Sequence, residues 1–295
     1  MTGAERGFLL LTSHLGDPTR KPLSVAQFRT LAERAGLMEK PEADRELTSR
    51  DLVDLGYDRN TAGHIVELLT EEFRLYTYLQ RGKMHSCVPI TRVSEGYPLR
   101  VRKQLGLDAP GCLWAKGNIE LLKGPVVSLV GSRDLAEANR QFAEFAGREI
   151  ARQGITLVSG NARGADRTAQ EACLQAGGRV ICVVADGLEN CPERENVLYL
   201  AEDGFDLPFS AARALSRNRV IQAMGSLILV AQCSFGTGGT WDGTVKNLQN
   251  NWSQVFCYND GSAATVELAQ MGAKLIDRQD LSDLAGLQPD QNMFV

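Results

Sequence analysis

The chain has 295 residues, 43% of them apolar and 23% charged, enough for one large core or two smaller ones, and no run of about 18 apolar residues that would predict a membrane span. Its seven cysteines are scattered, odd in number and never in a CxxC pair; with only three histidines this argues against a zinc site and for a reducing cytoplasm. The net charge of −4 weighs against a nucleic-acid binder as a total, although a total says little about a local patch.

In chain order, the first apolar run (MTGAERGFLLLTSHLGD) is too short for a signal peptide. Residues 25–35, 49–55 and 61–80 then place apolar side chains three and four apart, which predicts amphipathic helices. Ser24 and Thr48 read as N-caps of the first two and Gly36 as a C-cap. Residues 86–122 are broken by Pro and Gly into short strands and turns. The charge divides near Gly124: residues 1–124 hold 18 Lys/Arg against 16 Asp/Glu, a net +2, and residues 125–295 hold 14 against 20, a net −6. The expected organisation is a helical N-terminal domain (1–85) and a second domain (86–295) entered through a lead-in segment (86–124).

From Pro125 onward, short apolar runs alternate with helical spacing. Residues 126–130 (VVSLV), 156–158 (TLV), 180–184 (VICVV), 227–231 (LILVA) and 255–258 (VFCY) are apolar at consecutive positions, as strands buried on both faces of a parallel sheet are. Residues 135–153, 165–176, 193–201, 216–224 and 240–251 carry helical spacing. The alternation predicts an α/β domain with a doubly wound, mostly parallel sheet.

In such sheets ligands bind beyond the carboxyl ends of the strands, so the residues there matter most. After the first predicted strand come Gly131-Ser132-Arg133. After the second come Ser159-Gly160-Asn161-Ala162-Arg163-Gly164, opening a helix. A third glycine-rich loop, Phe235-Gly236-Thr237-Gly238-Gly239-Thr240, follows residues 227–231. Glycine lets backbone N–H groups approach an anion at a helix N-terminus, and arginine neutralises it, so the three loops together predict a phosphate-cradling surface. Ser216-Arg217-Asn218-Arg219 reads as two guanidinium groups beside a helix start, suited to a phosphodiester, or else as an ion pair to Glu202-Asp203. Neither GxGxxG after the first strand nor GxxxxGK[ST] occurs, which disfavours dinucleotide binding in the usual mode and P-loop hydrolysis.

The segments VVSLVGSR, LVSGNARGADRTAQEACLQAGGRVICVVADGLENCPERENVLYL, RALSRNRVIQAMGSLILVAQ and GSAATVELAQMGAKLI occur in that order. Before them stands ITRVSEGYPLRVRKQLGLDAPGCLWAKGNIELL, with Tyr97-Pro98 and Gly117-Asn118. Together, over roughly residues 86–280, they resemble the DprA/Smf DNA-processing proteins. That resemblance implies an extended Rossmann-like fold that binds single-stranded DNA without cofactor or catalysis, and a role in DNA uptake and transformation. It also implies a homodimer that loads a RecA-type recombinase. By the same resemblance Ser132, Arg133, the 159–164 loop, Arg217 and Arg219 would line the DNA-binding pocket.

Three features depart from the family pattern. Ala169-Gln170 stands where an Ala-His pair is usual, and the third loop differs from the usual SGSLIT. Only about a dozen residues follow Asp283, so a C-terminal winged-helix-like domain is not expected. Gly238-Gly239-Thr240 is also similar to the GGxGT loop of the LOG phosphoribohydrolases, which keeps a nucleotide-ligand sensor or a nucleoside-phosphate hydrolase open as the alternative, with Asp242 as its available acid.

Several residues carry two readings. Asp166 is either a general base or a group that caps free N–H donors or orients Arg163. Asp186 either touches a ligand or makes a turn. Trp241 and Trp252 are read as helix-packing aromatics, although Trp241 lies where it would reach a stacked base. His14, His64 and His85 all fall outside the sheet domain, which disfavours a Ser–His–Asp nucleophile there. The helices before residue 85 are compatible with a SAM or helix-hairpin-helix module, with a structural or self-association role.

Overall fold

The structure, a computed structural model, describes residues 1–36 and 46–287. Among the described residues it opens with five helices: α1 (Gly3–Thr12), α2 (Val25–Ala35), α3 (Ser49–Asp54), α4 (Arg59–Thr70) and α5 (Glu72–Met84). Thr2, Ser24 and Thr48 each close a capping box, donating and receiving hydrogen bonds across the first turn. Then come β1 (Cys87–Thr91), α6 (Leu99–Leu105) and β2 (Cys112–Gly117). The remainder alternates: β3 (Val126–Val130), α7 (Glu137–Arg152), β4 (Thr156–Ser159), α8 (Ala165–Gln175), β5 (Arg179–Val184) and β6 (Val197–Glu202), followed by α9 (Ala211–Met224), β7 (Leu227–Val230), α10 (Gly238–Asn250), β8 (Gln254–Tyr258), α11 (Ala263–Gln270) and β9 (Lys274–Ile276).

The nine strands of the described residues form one sheet in the order β1-β2-β6-β5-β4-β3-β7-β8-β9. The seven from β3 onward are parallel, and β2 joins β6 antiparallel, with β1 antiparallel to β2. The strand order reverses beside β3. The chain builds outward from β3 to β6, and α9 then carries it back across the sheet to β7. A crevice at strand carboxyl ends is expected at such a switch point.

Strand side chains alternate between two cores. Val127 and Leu129 pack with Phe142, Ala146 and Ala169 of α7 and α8. Val126 and Val130 pack on the other face with Val220 and Ile221 of α9. The N-terminal helices are attached to the first of these cores. Leu9, Leu10, Leu75 and Tyr78 share it with Trp114 of β2, and Trp114 lies 5.2 Å from the Tyr78 ring and 5.0 Å from Phe205. A smaller cluster of Leu11, Leu31, Leu52, Ile65 and Leu68 fills the space among α1 to α4.

Three helix expectations change. Residues 193–201 are not a helix; Asn196 takes a left-handed backbone (φ 61°) and Val197–Glu202 runs as a strand beside β5, buried throughout. Its run Val-Leu-Tyr-Leu-Ala is apolar at every position, so a helix would have left part of it in water, whereas a central strand buries both faces. The helix expected over 61–80 is two, broken at Glu71 (ψ 37°). The helix expected from 216 begins at Ala211 with Ser210 as its cap, so Ser216–Arg219 lies past its first turn rather than at a helix start.

Candidate functional site

Two clefts, of about 620 and 510 Å³, open at the carboxyl ends of β3, β4, β5 and β7. They share Arg133, Ala162, Phe209, Ala214 and Arg217, so they form one trough rather than two pockets. The first half is walled by Gly131-Ser132, by Leu215 and Asn218 of α9, and by Gly238, Gly239 and Thr240 at the start of α10. The second is walled by Gly160, Arg163, Arg167 and Asp186.

Arg217 is the floor where the halves meet. It is 9% exposed, and its Nε has no hydrogen-bond partner among the described residues. Its guanidinium lies against Gly160, occupying the place a Cβ there would take, so only glycine admits it. Burial pushes its pKa below the ordinary arginine value, with the Asp166 carboxylate opposing that shift and the neighbouring Arg133 adding to it. A cation held this way, dry and short of acceptors, is built to take an anion from the cleft.

Asp166 is 5% exposed and accepts hydrogen bonds from the Gly160 and Ala162 N–H groups (3.1 and 3.2 Å). It therefore ties down the β4–α8 loop from within. It does not orient Arg163, whose guanidinium pairs with Asp134 across the mouth of the trough (2.8 Å). Burial raises the Asp166 pKa above 3.8 against the pull of Arg217 and the two N–H groups. A carboxyl that holds its proton more tightly folded than unfolded contributes stability in acid and loses it as pH rises from about 4 through the raised value. Denaturant melts from pH 4 to 8 should show Asp166→Asn flattening the decline in stability over that window. A constant difference between the two proteins at every pH would count against this.

The other expected ligands divide. Arg133 is exposed in both halves, and no hydrogen bond or ion pair holds its side chain among the described residues. Gly238 and Gly239 form the first turn of α10, which has no side-chain cap, so its N-terminal amides face the cleft. Asn218 positions this turn by donating to the Gly239 carbonyl (3.1 Å), and Thr240 donates to the Gly131 carbonyl (3.0 Å). Ser132 is half-buried in the wall of the first cleft, its N–H and Oγ both on the Gln232 carbonyl.

Ser159, Gly164 and Arg219 line neither cleft. Ser159 is fully buried beneath its loop. Gly164 has φ 86°, and a Cβ there would run into the Ser132 and Arg133 carbonyls, so its part is to let two loops touch. Arg219 is ion-paired to Glu202 (2.9 Å) and donates to the Asp108 carbonyl (3.0 Å). The amides of the second loop are likewise spent: Gly160 and Ala162 on Asp166, and Ala165 on the Ser132 carbonyl.

Three contributors escaped the sequence reading. Phe209, 57% exposed, stands in both halves of the trough as a bare aromatic face. Arg213 clamps the loop that carries it, donating to the Ala185, Glu202, Leu207 and Pro208 carbonyls. Arg167, in the first turn of α8, adds a further cation to the second half. Placing β6 correctly would have exposed the first two, because they follow a strand carboxyl end. Asp186 reaches the second half of the trough, its carboxylate accepting from the Gly187 N–H (2.8 Å). Asp242 is exposed on α10 and lines neither cleft. Trp241 and Trp252 pack against the α9-side core.

The family model for DNA recombination-mediator protein A matches residues 89–285. The chain belongs to that family. It is 28% identical over 218 residues to the DNA processing protein DprA of Bacillus subtilis, covering 68% of this chain and 71% of that one. To DprA of Streptococcus pneumoniae it is 29% identical over 255 residues, covering 79% and 85%. The X-ray structure of Streptococcus pneumoniae DprA is similar over 97% of this chain and 98% of that one, with TM-score 0.74 and 25% identity. The DNA processing protein A of Helicobacter pylori, described for its single-stranded DNA binding mode, shares the fold over 68% of this chain and 96% of that one, with TM-score 0.57 and 22% identity. The extended Rossmann-like sheet is thus that of the family.

Proposed function

We propose that this family member binds a single strand of DNA in the trough and processes it by holding it, with no bond made or broken. The observation that carries this is the joining of the two clefts at Arg133, Phe209 and Arg217: a closed pocket would take one nucleotide, whereas a trough takes a run of them. Arg133, Arg163, Arg167 and Arg217 supply phosphate contacts, the α10 amides add a partial positive charge, and Phe209 offers a stacking face. The depth of Arg217 favours a flexible single strand, whose phosphates can descend to it, over a stiff duplex.

Fluorescence anisotropy with labelled oligo-dT tests this. With four arginines engaged, log affinity should fall with log salt at a slope of about −3, taking roughly 0.7 per phosphate on single strands. Phe209→Ala should weaken binding about tenfold through lost stacking, and the loss should vanish on an abasic oligomer that has nothing to stack. Equal losses on both oligomers would remove Phe209 from base recognition, and duplex bound as tightly as oligo-dT would overturn the single-strand reading. The family relation supports a role in DNA uptake and transformation, a RecA-type recombinase as receiver of the strand, and a homodimer as the working form. A cytoplasmic location fits the seven unpaired thiols.

A further inference from the structure

A second cavity, of about 470 Å³, lies in the seam between the N-terminal helices and the β1–β2 end of the sheet and shares no lining residue with the trough. Its walls are chiefly apolar: Phe8 and Leu23, Phe28 and Ala32 of α2, then Val93 and Leu107. Phe8 and Phe28 meet edge to face at 4.8 Å, giving one side a rigid aromatic surface. The volume is that of an ordinary small-molecule site.

One polar group is conspicuous in that wall. Asp203, at the carboxyl end of β6, presents accessible surface to the cavity, yet its carboxylate has no hydrogen bond or ion pair among the described residues. Arg213 and Arg219 act on it through charge only. Arg213 spends its donors on four carbonyls, Arg219 on Glu202, Ser216 and the Asp108 carbonyl, and His14 bonds the Arg20 carbonyl. The packing on one side of it raises its pKa through desolvation, while the residue keeps an exposed face toward the cavity. Asp203 is an exposed residue whose carboxylate is occupied by no donor of the described chain, so a ligand's N–H groups can take the place of water on it. The charged side chains of the lining are balanced, Arg29 and Arg92 against Glu33 and Asp203, so the site asks for donors and not for a large net charge.

We propose that this cavity binds a small molecule with an aromatic-sized apolar body and an N–H donor head, the head seated on the Asp203 carboxylate and the body between Phe8, Phe28 and Leu107. Two sources carry that chemistry, an arylalkyl ammonium and the donor edge of a guanine base. Titration calorimetry of the full chain with tryptamine and with guanosine separates them, and neither probe has a phosphate that would draw it into the trough. At least one should bind saturably at a single site. Asp203→Asn should weaken that binding at least tenfold, and Asn is at home at the left-handed backbone of this position (φ 70°), so the fold is kept. Ala32→Trp, which fills the cavity from an exposed position on α2, should abolish it. Oligo-dT binding should be unchanged in both variants. Failure of both probes to bind, or binding that survives both substitutions, would overturn the proposal.

Discussion

Arg217→Ala is expected to weaken oligo-dT binding about 100-fold, close to 3 kcal/mol, the scale for removing one side of a desolvated charge contact. The expectation rests on position rather than on charge alone, because Arg133, Arg163 and Arg167 are exposed and each should cost far less. The same substitution leaves Asp166 buried beside no cation, so stability should fall by about 2 kcal/mol. Adding Asp166→Asn should restore the stability and leave the binding lost, which separates the two roles. Gly160→Ala offers a third route. Its Cβ would displace the guanidinium from its seat, while the backbone at Gly160 needs no left-handed conformation. Binding should therefore fall, with a stability loss no larger than that of Arg217→Ala, because the displaced guanidinium stays on the same side chain near Asp166. If Arg217→Ala bound oligo-dT as tightly as the parent, the trough would not be the site.

Trp114→Ala should be the most destabilising single change in the core, by about 3–5 kcal/mol. Trp114 is completely buried on β2 and ties two other parts of the chain to the sheet: α5, through Tyr78 and through Gly82, where a Cβ would lie 2.7 Å from the indole, and the β6–α9 loop, through Phe205. Tyr78 in turn donates to Asp206 (2.7 Å), and Arg81 pairs with the same carboxylate (3.2 Å). The loop that ends at Phe209 is thus anchored from the N-terminal helices. Chemical denaturation followed by far-UV circular dichroism should show the lowered midpoint, and oligo-dT affinity under folding conditions should drop as well, because Phe209 loses its support. A midpoint within about 0.5 kcal/mol of the parent would mean the indole is not the anchor.

The legible part of the molecule was local. Runs of β-branched residues apolar at every position announce strands buried on both faces, and Ser24 and Thr48 announce caps, because both patterns are settled within a few residues by burial and by orphan N–H groups. The glycine-rich loops were legible for the same reason, and with them Gly131, Ser132, Arg133 and the Gly238–Gly239 turn. Residues 193–201 show where that reasoning ends: a short apolar run has either period, and only pairing with β5 made it a strand.

What only the tertiary structure decided is which cation faces the trough and which is consumed. Arg217 and Arg219 are two residues apart and indistinguishable by type, yet on a helix they point about 200° apart. One lies over Gly160 beside Asp166, and the other meets Glu202 and the Asp108 carbonyl, partners 17 and 111 residues away in sequence. The total charge of −4 is likewise silent about a trough whose arginines converge while the carboxylates around them are spent on loop amides or ion pairs. The sequence determined by itself that a parallel sheet would form and that its loops would meet at one edge, since local burial and backbone chemistry dictate both. Which side chains remain free to bind follows from long-range packing, because a charge is available only where the fold has not already paired it.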